Sequence, residues 1–184
     1  MTVDVGTEAG EEIFRVVATD KDSGELGRIN YQMSPDTPLA TRAYFRVDAE
    51  TGAISLKRSL DTVEDDQLPL RLTVAARDNP DNVGDSKMEK TEIIVNVLSE
   101  DNLIVLTVKD TAPDKVESMT DSLTEIIQDQ TNLIVEVSDI VPSLVEAANG
   151  SCCVESESGS DVWFYAINPS DQKILDVNNS IVQR

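Results

Sequence analysis

From residue 11 to residue 102 the chain keeps returning to a period of two, and that alternation constrains its fold more than any other feature. Glu12-Ile13-Phe14-Arg15-Val16-Val17-Ala18 and Leu70-Arg71-Leu72-Thr73-Val74-Ala75-Ala76 alternate apolar with polar or small residues. Ala53-Ile54-Ser55-Leu56 and Thr91 to Leu98 do much the same. Successive strand side chains point to opposite faces, so runs of this kind bury one face and wet the other. Turn residues part them: Asp22-Ser23-Gly24, Ser34-Pro35-Asp36, Thr51-Gly52 and Asn79-Pro80-Asp81-Asn82. Short strands at regular spacing predict an all-β Greek-key sandwich, with no helix before residue 112.

The pattern then changes. Leu103 to Val108 predicts a strand. Ala112-Pro113-Asp114 opens a helix, with proline in the first turn and an acid beside the positive end of the dipole. Val116, Met119, Leu123, Ile126 and Ile127 recur at spacings of three and four, giving one apolar face. Asn132 to Val137 predicts a second strand, Ala148 to Ser160 a polar loop, and Val162 to Ile167 a third strand. After the turn Asn168-Pro169-Ser170-Asp171, the residues Ile174, Leu175, Val177 and Ile181 sketch a second helix. That order, β-α-β-β-α, is an α+β ferredoxin-like unit without its last strand, which would lie beyond Arg184. The expected domains are 1–101 and 102–184, the second incomplete.

The chain of 184 residues suits one or two domains of roughly 100–200 residues each. Its 40% hydrophobic content is spread through both halves, so each can build a core. Acids number 35 against 15 bases, for a formal charge of −20. That balance argues against nucleic acid, which needs clustered Lys and Arg, and against docking on anionic lipid. With no histidine, a Ser-His-Asp triad, a Cys-His dyad and imidazole-ligated zinc are all excluded. No run reaches the ~18 apolar residues of a membrane span, and no signal peptide starts the chain, so Met1 reads as an added start on an excised ectodomain piece. The glycosylation sequons at Asn149 and Asn178 fit a secreted context.

Five motifs in order carry a resemblance. Ala18-Thr19-Asp20-Lys21-Asp22-Ser23-Gly24 is followed by Gly27-Arg28-Ile29-Asn30-Tyr31. Then come Phe45-Arg46-Val47-Asp48-Ala49-Glu50-Thr51-Gly52-Ala53-Ile54, Leu60-Asp61, and Leu72-Thr73-Val74-Ala75-Ala76-Arg77-Asp78. At these spacings the first half closely resembles an extracellular cadherin repeat. The resemblance implies Ca²⁺ held between adjacent repeats, with Asp20, Asp22 and Asp78 as ligands shared with the preceding repeat and only weakly effective without it. From the residues alone, three solvated turn aspartates fit equally well, since Asp favours turns and no contiguous ligand loop is present.

The other end departs from the family pattern. Val5 stands where a glutamate ligand belongs, and the acid after Leu60-Asp61 is displaced to Glu64. The linker is reduced to Ser99-Glu100-Asp101-Asn102. Because Ca²⁺ takes six to eight oxygens, no calcium is expected between the two domains. Direct packing around Leu98 and Leu103 would then set their angle, unless the junction is a hinge.

A calcium-poor last repeat followed by a ferredoxin-like domain resembles the membrane-adjacent end of long protocadherins. Leu98 to Val108, Phe164 to Pro169 and Leu175 to Asn178 carry that likeness. It implies a non-enzymatic, force-transmitting cell-surface module with a parallel homodimer, a transmembrane helix beyond the C-terminus, and membrane-protein partners of the channel-complex type. Gly159-Ser160, placed at the tip before the third strand, is similar to the self-cleaving turn of SEA domains, where serine attacks its own peptide carbonyl. An ordinary Gly-Ser turn reads the same way. Cys152-Cys153, adjacent in the expected loop, would be strained as a vicinal disulfide, leaving pairing with another chain or the reduced state. Trp163 and Tyr165 alternate with Phe164, one set for the core and the other for a partner. The alternatives to an adhesion module are a self-cleaving ectodomain and a plain receptor ectodomain.

Overall fold

The computed structural model describes residues 1–22, 24–79, 84, 86–145 and 154–177, together with the backbone but not the side chains of Glu25, Leu26 and Glu157. The chain forms two compact units, Met1–Leu98 and Ser99–Arg184.

Among its described residues the first unit holds seven strands: β1 (Thr2–Asp4), β2 (Glu12–Arg15), β3 (Ile29–Met33), β4 (Phe45–Val47), β5 (Ala53–Leu56), β6 (Leu70–Asp78) and β7 (Met88–Leu98). They make two sheets, ordered β1-β7-β6-β3 and β2-β5-β4. β1 runs parallel to β7, pairing Thr2 with Asn96 and Asp4 with Leu98, and the other pairings are antiparallel. The alternation read from β6 is realised directly. Leu70, Leu72 and Val74 point inward and are essentially buried, while Arg71 and Thr73 between them are only partly covered. With Phe45, Ile54, Leu56, Leu60, Val95 and Val97 they form one core cluster. Each such aliphatic or aromatic side chain contributes about 1.5–3 kcal/mol on burial.

One short helix, α1 (Leu39–Arg42), departs from the expected all-strand pattern. Pro38 pre-sets its first turn, and the Arg42 N–H donates to the Pro38 carbonyl at 3.0 Å. The Arg42 guanidinium then donates to the carbonyls of Thr37 (2.8 Å) and Pro35, tying down a connection that carries no periodic apolar signal.

The second unit has a three-stranded antiparallel sheet, β8 (Ile104–Val108), β9 (Ile134–Val145) and β10 (Val154–Ile167), in the order β8-β10-β9. α2 (Pro113–Glu117) and α3 (Thr120–Thr131) lie between β8 and β9 in sequence and pack on the sheet. Three expectations are corrected here. The single helix is broken at Ser118-Met119, where the Ser118 hydroxyl donates to the Lys115 carbonyl at 2.7 Å and competes with the helix ladder. The break shifts the helical phase, so Val116 is buried while Met119 and Ile126 are exposed. The polar stretch Val154–Ser160 is strand, not loop, because it extends the hairpin against Leu144 and Val145. The second helix does not form over Ile174, Leu175 and Val177. The Asn168–Asp171 turn folds the chain back so that Ile174 makes an antiparallel bridge to Ile167, and Leu175 donates to the Ala166 carbonyl at 2.8 Å. Ile181 lies outside the described residues.

Candidate functional site

The candidate calcium ligands sit on the segment after β2 and at the end of β6. The segment is anchored by Val16, whose N–H donates to the Gly52 carbonyl at 3.0 Å, and by Ala18, whose N–H donates to the hydroxyl of buried Tyr31 at 2.9 Å. Gly52 has φ +70°, and a Cβ there would come within 2.2 Å of the Val16 carbonyl oxygen, so this position of the Asp48–Gly52 turn requires glycine. Asp48 closes that turn by accepting the Thr51 and Glu50 N–H groups and the Thr51 hydroxyl. These bonds, led by the Thr51 amide, hold its carboxyl below the usual aspartate range. Asp48, a strong motif residue, is therefore a turn former.

Beyond Ala18 the chain is exposed. The Asp20 carboxylate accepts the Asp22 N–H at 2.7 Å. Asp78 pairs with Ile29 across the β3–β6 ladder, donates its N–H to the Lys87 carbonyl at 3.1 Å, and accepts the Lys87 N–H on its carboxylate. Asp20 and Asp78 line one pocket of about 160 Å³ with Thr19, Lys87 and Glu89. Asp22 does not line it, and among the described residues no three acidic side chains gather as a metal centre. Two of the three candidates are thus brought to one place. Glu89, which no family motif marked, lines the pocket with them from β7, and nothing local in the sequence singles it out.

As a cation site this donor set is incomplete. Asp20, Asp78 and Glu89 offer at most six carboxylate oxygens, and one on each aspartate already accepts a backbone N–H. Ca²⁺ takes six to eight. A larger groove of about 540 Å³ adjoins this pocket, sharing Ala18, Ala76 and Glu89 with it, and is lined by Phe14, Val16, Val74 and Ile93 among others. Its walls are mainly apolar, and it contains none of the candidate aspartates.

Residues at the other end do different work. Val5 packs against the core cluster and donates its N–H to the Leu98 carbonyl at 2.8 Å. Leu60 is buried, whereas Asp61 and Glu64 are exposed. Ser99 to Asn102 form a short 3₁₀ turn closed by their own side chains.

Gly159 and Ser160 are not at a turn tip. Ser160 lies inside β10, paired with Val108 and Pro142, fully buried, and its hydroxyl donates to the Thr111 carbonyl at 2.7 Å. The hydroxyl is engaged in a structural hydrogen bond. The expected division of the aromatics is also altered. Phe164 packs on the cluster of Val135, Ala166 and Leu175, Trp163 is half-buried, and Tyr165 is buried with its hydroxyl donating to the Glu136 carboxylate. Asn149, Asn178, Cys152 and Cys153 lie outside the described residues.

The first unit is thus a modular seven-stranded β-sandwich with its terminal strands parallel and carboxylates at one end. A Cadherin domain family model matches residues 1–98, more than half the chain, and the chain belongs to the cadherin family. Cadherin-99C of Drosophila melanogaster is 28% identical over 174 residues, covering 93% of this chain and 10% of that protein. Cadherin EGF LAG seven-pass G-type receptor 2 of Mus musculus is 40% identical over 80 residues, 42% of this chain and 2% of its own length. The solved structure of mouse clustered PcdhgC3 EC1-3 superposes with a TM-score of 0.47 at 24% identity, covering 53% of this chain and 30% of that one. The chain therefore spans a tenth or less of these two curated relatives. Family membership makes residues 1–98 an extracellular, non-enzymatic module of the adhesion type, and cadherin domains generally bind Ca²⁺. No helix among the described residues is long and apolar enough to cross a membrane.

Proposed function

We propose that the chain is the membrane-proximal end of a long calcium-dependent cadherin: a last repeat that shares Ca²⁺ with the repeat before it, then a calcium-free junction and a ferredoxin-like, SEA-like domain. The observation that carries this reading is the asymmetry of the first unit. Asp20 and Asp78 share a pocket at one end, while the position that should hold a glutamate at the other is Val5, packed into the core. On this reading the repeat keeps the family pattern of calcium ligands only toward its upstream neighbour.

The strand order β8-β10-β9, antiparallel throughout, supports the ferredoxin-like reading, since it is the first, third and second strand of a split β-α-β-β unit. The match to Cadherin-99C, covering 93% of the chain, extends through the second unit and supports treating the pair as one module. The residues around Leu98–Val108 and Phe164–Pro169 resemble the membrane-adjacent region of protocadherin-15. On that resemblance the module transmits force at the cell surface, forms a parallel homodimer, continues into a transmembrane helix and engages channel-complex partners.

The test is calcium binding by a protein extended by its preceding repeat. It should bind Ca²⁺, and Asp78→Asn or Asp20→Asn should weaken binding by about tenfold or more, as expected on losing a charged oxygen ligand. The present chain alone should show little thermal stabilisation by Ca²⁺. An extended protein indifferent to Ca²⁺, or an Asp78→Asn variant that binds as tightly as the parent, would sink the proposal.

A further inference from the structure

In the second unit the segment where the chain enters and the segment where its described part ends lie side by side, and one side chain joins them. The Asn102 carboxamide oxygen accepts both the Ser99 N–H and the Ser99 hydroxyl at 3.0 Å, and its nitrogen donates to the Leu175 carbonyl at 3.3 Å. Beside it, the Val177 N–H donates to the Asp101 carbonyl at 3.1 Å, and the Leu175 N–H holds the end of β10 through Ala166. The linker turn, β10 and the segment Ile174–Val177 are thus fastened through Asn102.

We propose that the Asn102 carboxamide is a latch that closes the second unit and keeps its own oxygen from serving a linker cation. An amide oxygen has two lone pairs, and both are used by Ser99. One lone pair of the Asp101 carbonyl is used by Val177. Oxygens of this kind are what Ca²⁺ takes from a protein, and here donors from the chain itself already hold them. This deepens the calcium-free junction proposed above and rests on that reading only for the statement that no cation competes. Asn102 is a positioning residue: it sets where Leu175 and Val177 lie.

Two substitutions separate the arms of the latch. Asn102→Asp keeps an acceptor for Ser99 but loses the donor to Leu175 and sets a carboxylate against its carbonyl. Asn102→Ala loses both arms. In residue-resolved amide hydrogen exchange on the full chain, both variants should speed exchange at Leu175 and Val177 by about three- to tenfold, the value of one net hydrogen bond. Only Asn102→Ala should also speed exchange within Ser99–Asn102. The β9–β10 ladder around Val162 should be unchanged, and Ca²⁺ or a chelator should make no difference. Unchanged exchange at Leu175 and Val177 overturns the latch, as does a uniform rise through the sheet, which would mean general destabilisation. Protection of Ser99–Asn102 by Ca²⁺ in the unsubstituted chain overturns the claim that the Asn102 oxygen is taken, and separates that failure from a failure of the Asp20–Asp78 site.

Discussion

Replacing Thr37 with valine isolates one buried hydroxyl in the first unit, and the geometry sets what its loss should cost. The β3–β6 ladder ends at Met33 opposite Val74, so the next residue of β6, Thr73, would face β3 without a strand partner. Ser34 supplies an N–H to the Thr73 carbonyl at 2.8 Å. The Thr37 hydroxyl does the rest, donating to that carbonyl at 3.1 Å and accepting the Thr73 N–H at 3.0 Å. Thr37 is 2% exposed. Valine fills the same volume, so Thr37→Val opens no cavity, but it leaves the Thr73 amide without an acceptor and its carbonyl with one donor instead of two. A buried donor left unsatisfied costs about 1–3 kcal/mol, and about 2 kcal/mol is expected here. For a unit of this size that lowers the melting temperature by about 10 °C. Thr37→Ser keeps the hydroxyl and should lose less than about 1 kcal/mol, the worth of one methyl group. Urea unfolding followed by far-ultraviolet circular dichroism measures both. The single tryptophan, Trp163, lies in the second unit and serves as an internal control whose transition should not move. A Thr37→Val cost below about 0.5 kcal/mol, or an equal cost for Thr37→Ser, refutes the idea that this hydroxyl replaces a strand partner.

Gly52→Ala should be among the costlier single-methyl changes in the repeat, at about 3 kcal/mol. It forces a side chain into the left-handed region and against the Val16 carbonyl, and a thermal melt that shifts by only a degree or two would contradict this. Acid stability should track Asp48 and Asp36, whose carboxyls are held below the usual range by the Thr51 amide and by the Lys90 ammonium, respectively. A folded-state value below the unfolded one adds stability above the unfolded pKa, which is lost as pH falls through the folded one. The urea midpoint should therefore be flat from about pH 8 to about pH 5.5, where no histidine titrates, and should fall at lower pH. Asp48→Asn should flatten part of that acid limb, and an unchanged limb would remove Asp48 as a contributor.

Much of the first unit could be read from local pattern. Leu70, Leu72 and Val74 alternate with Arg71 and Thr73, and a period of two allows only one face to be buried. Thr51-Gly52 marks a turn because the backbone there needs a residue without a Cβ. The acidic bias, the absence of histidine and the motif spacing excluded whole classes of chemistry and pointed to Asp20, Asp22 and Asp78.

Pairing over long sequence distances is where that legibility ends. Val154–Ser160 is polar and serine-rich, yet it is strand because Leu144 and Val145 are there to pair with it. Ile174 and Leu175 have helical spacing but follow a turn that returns them to Ile167 and Ala166. Asp20 and Asp78 share a pocket although one sits on the segment leaving β2 and the other at the end of β6, and only the packed sheets bring those places together; Asp22, two residues on from Asp20, does not line it. By itself the sequence determined the strands of the sandwich, its turns and the candidate aspartates, since each depends on residues a few positions apart. The tertiary structure decided which carboxylates meet, where the second unit's strands end, and what Thr37 and Asn102 hold, since a polar group takes the partner that folding places within its reach.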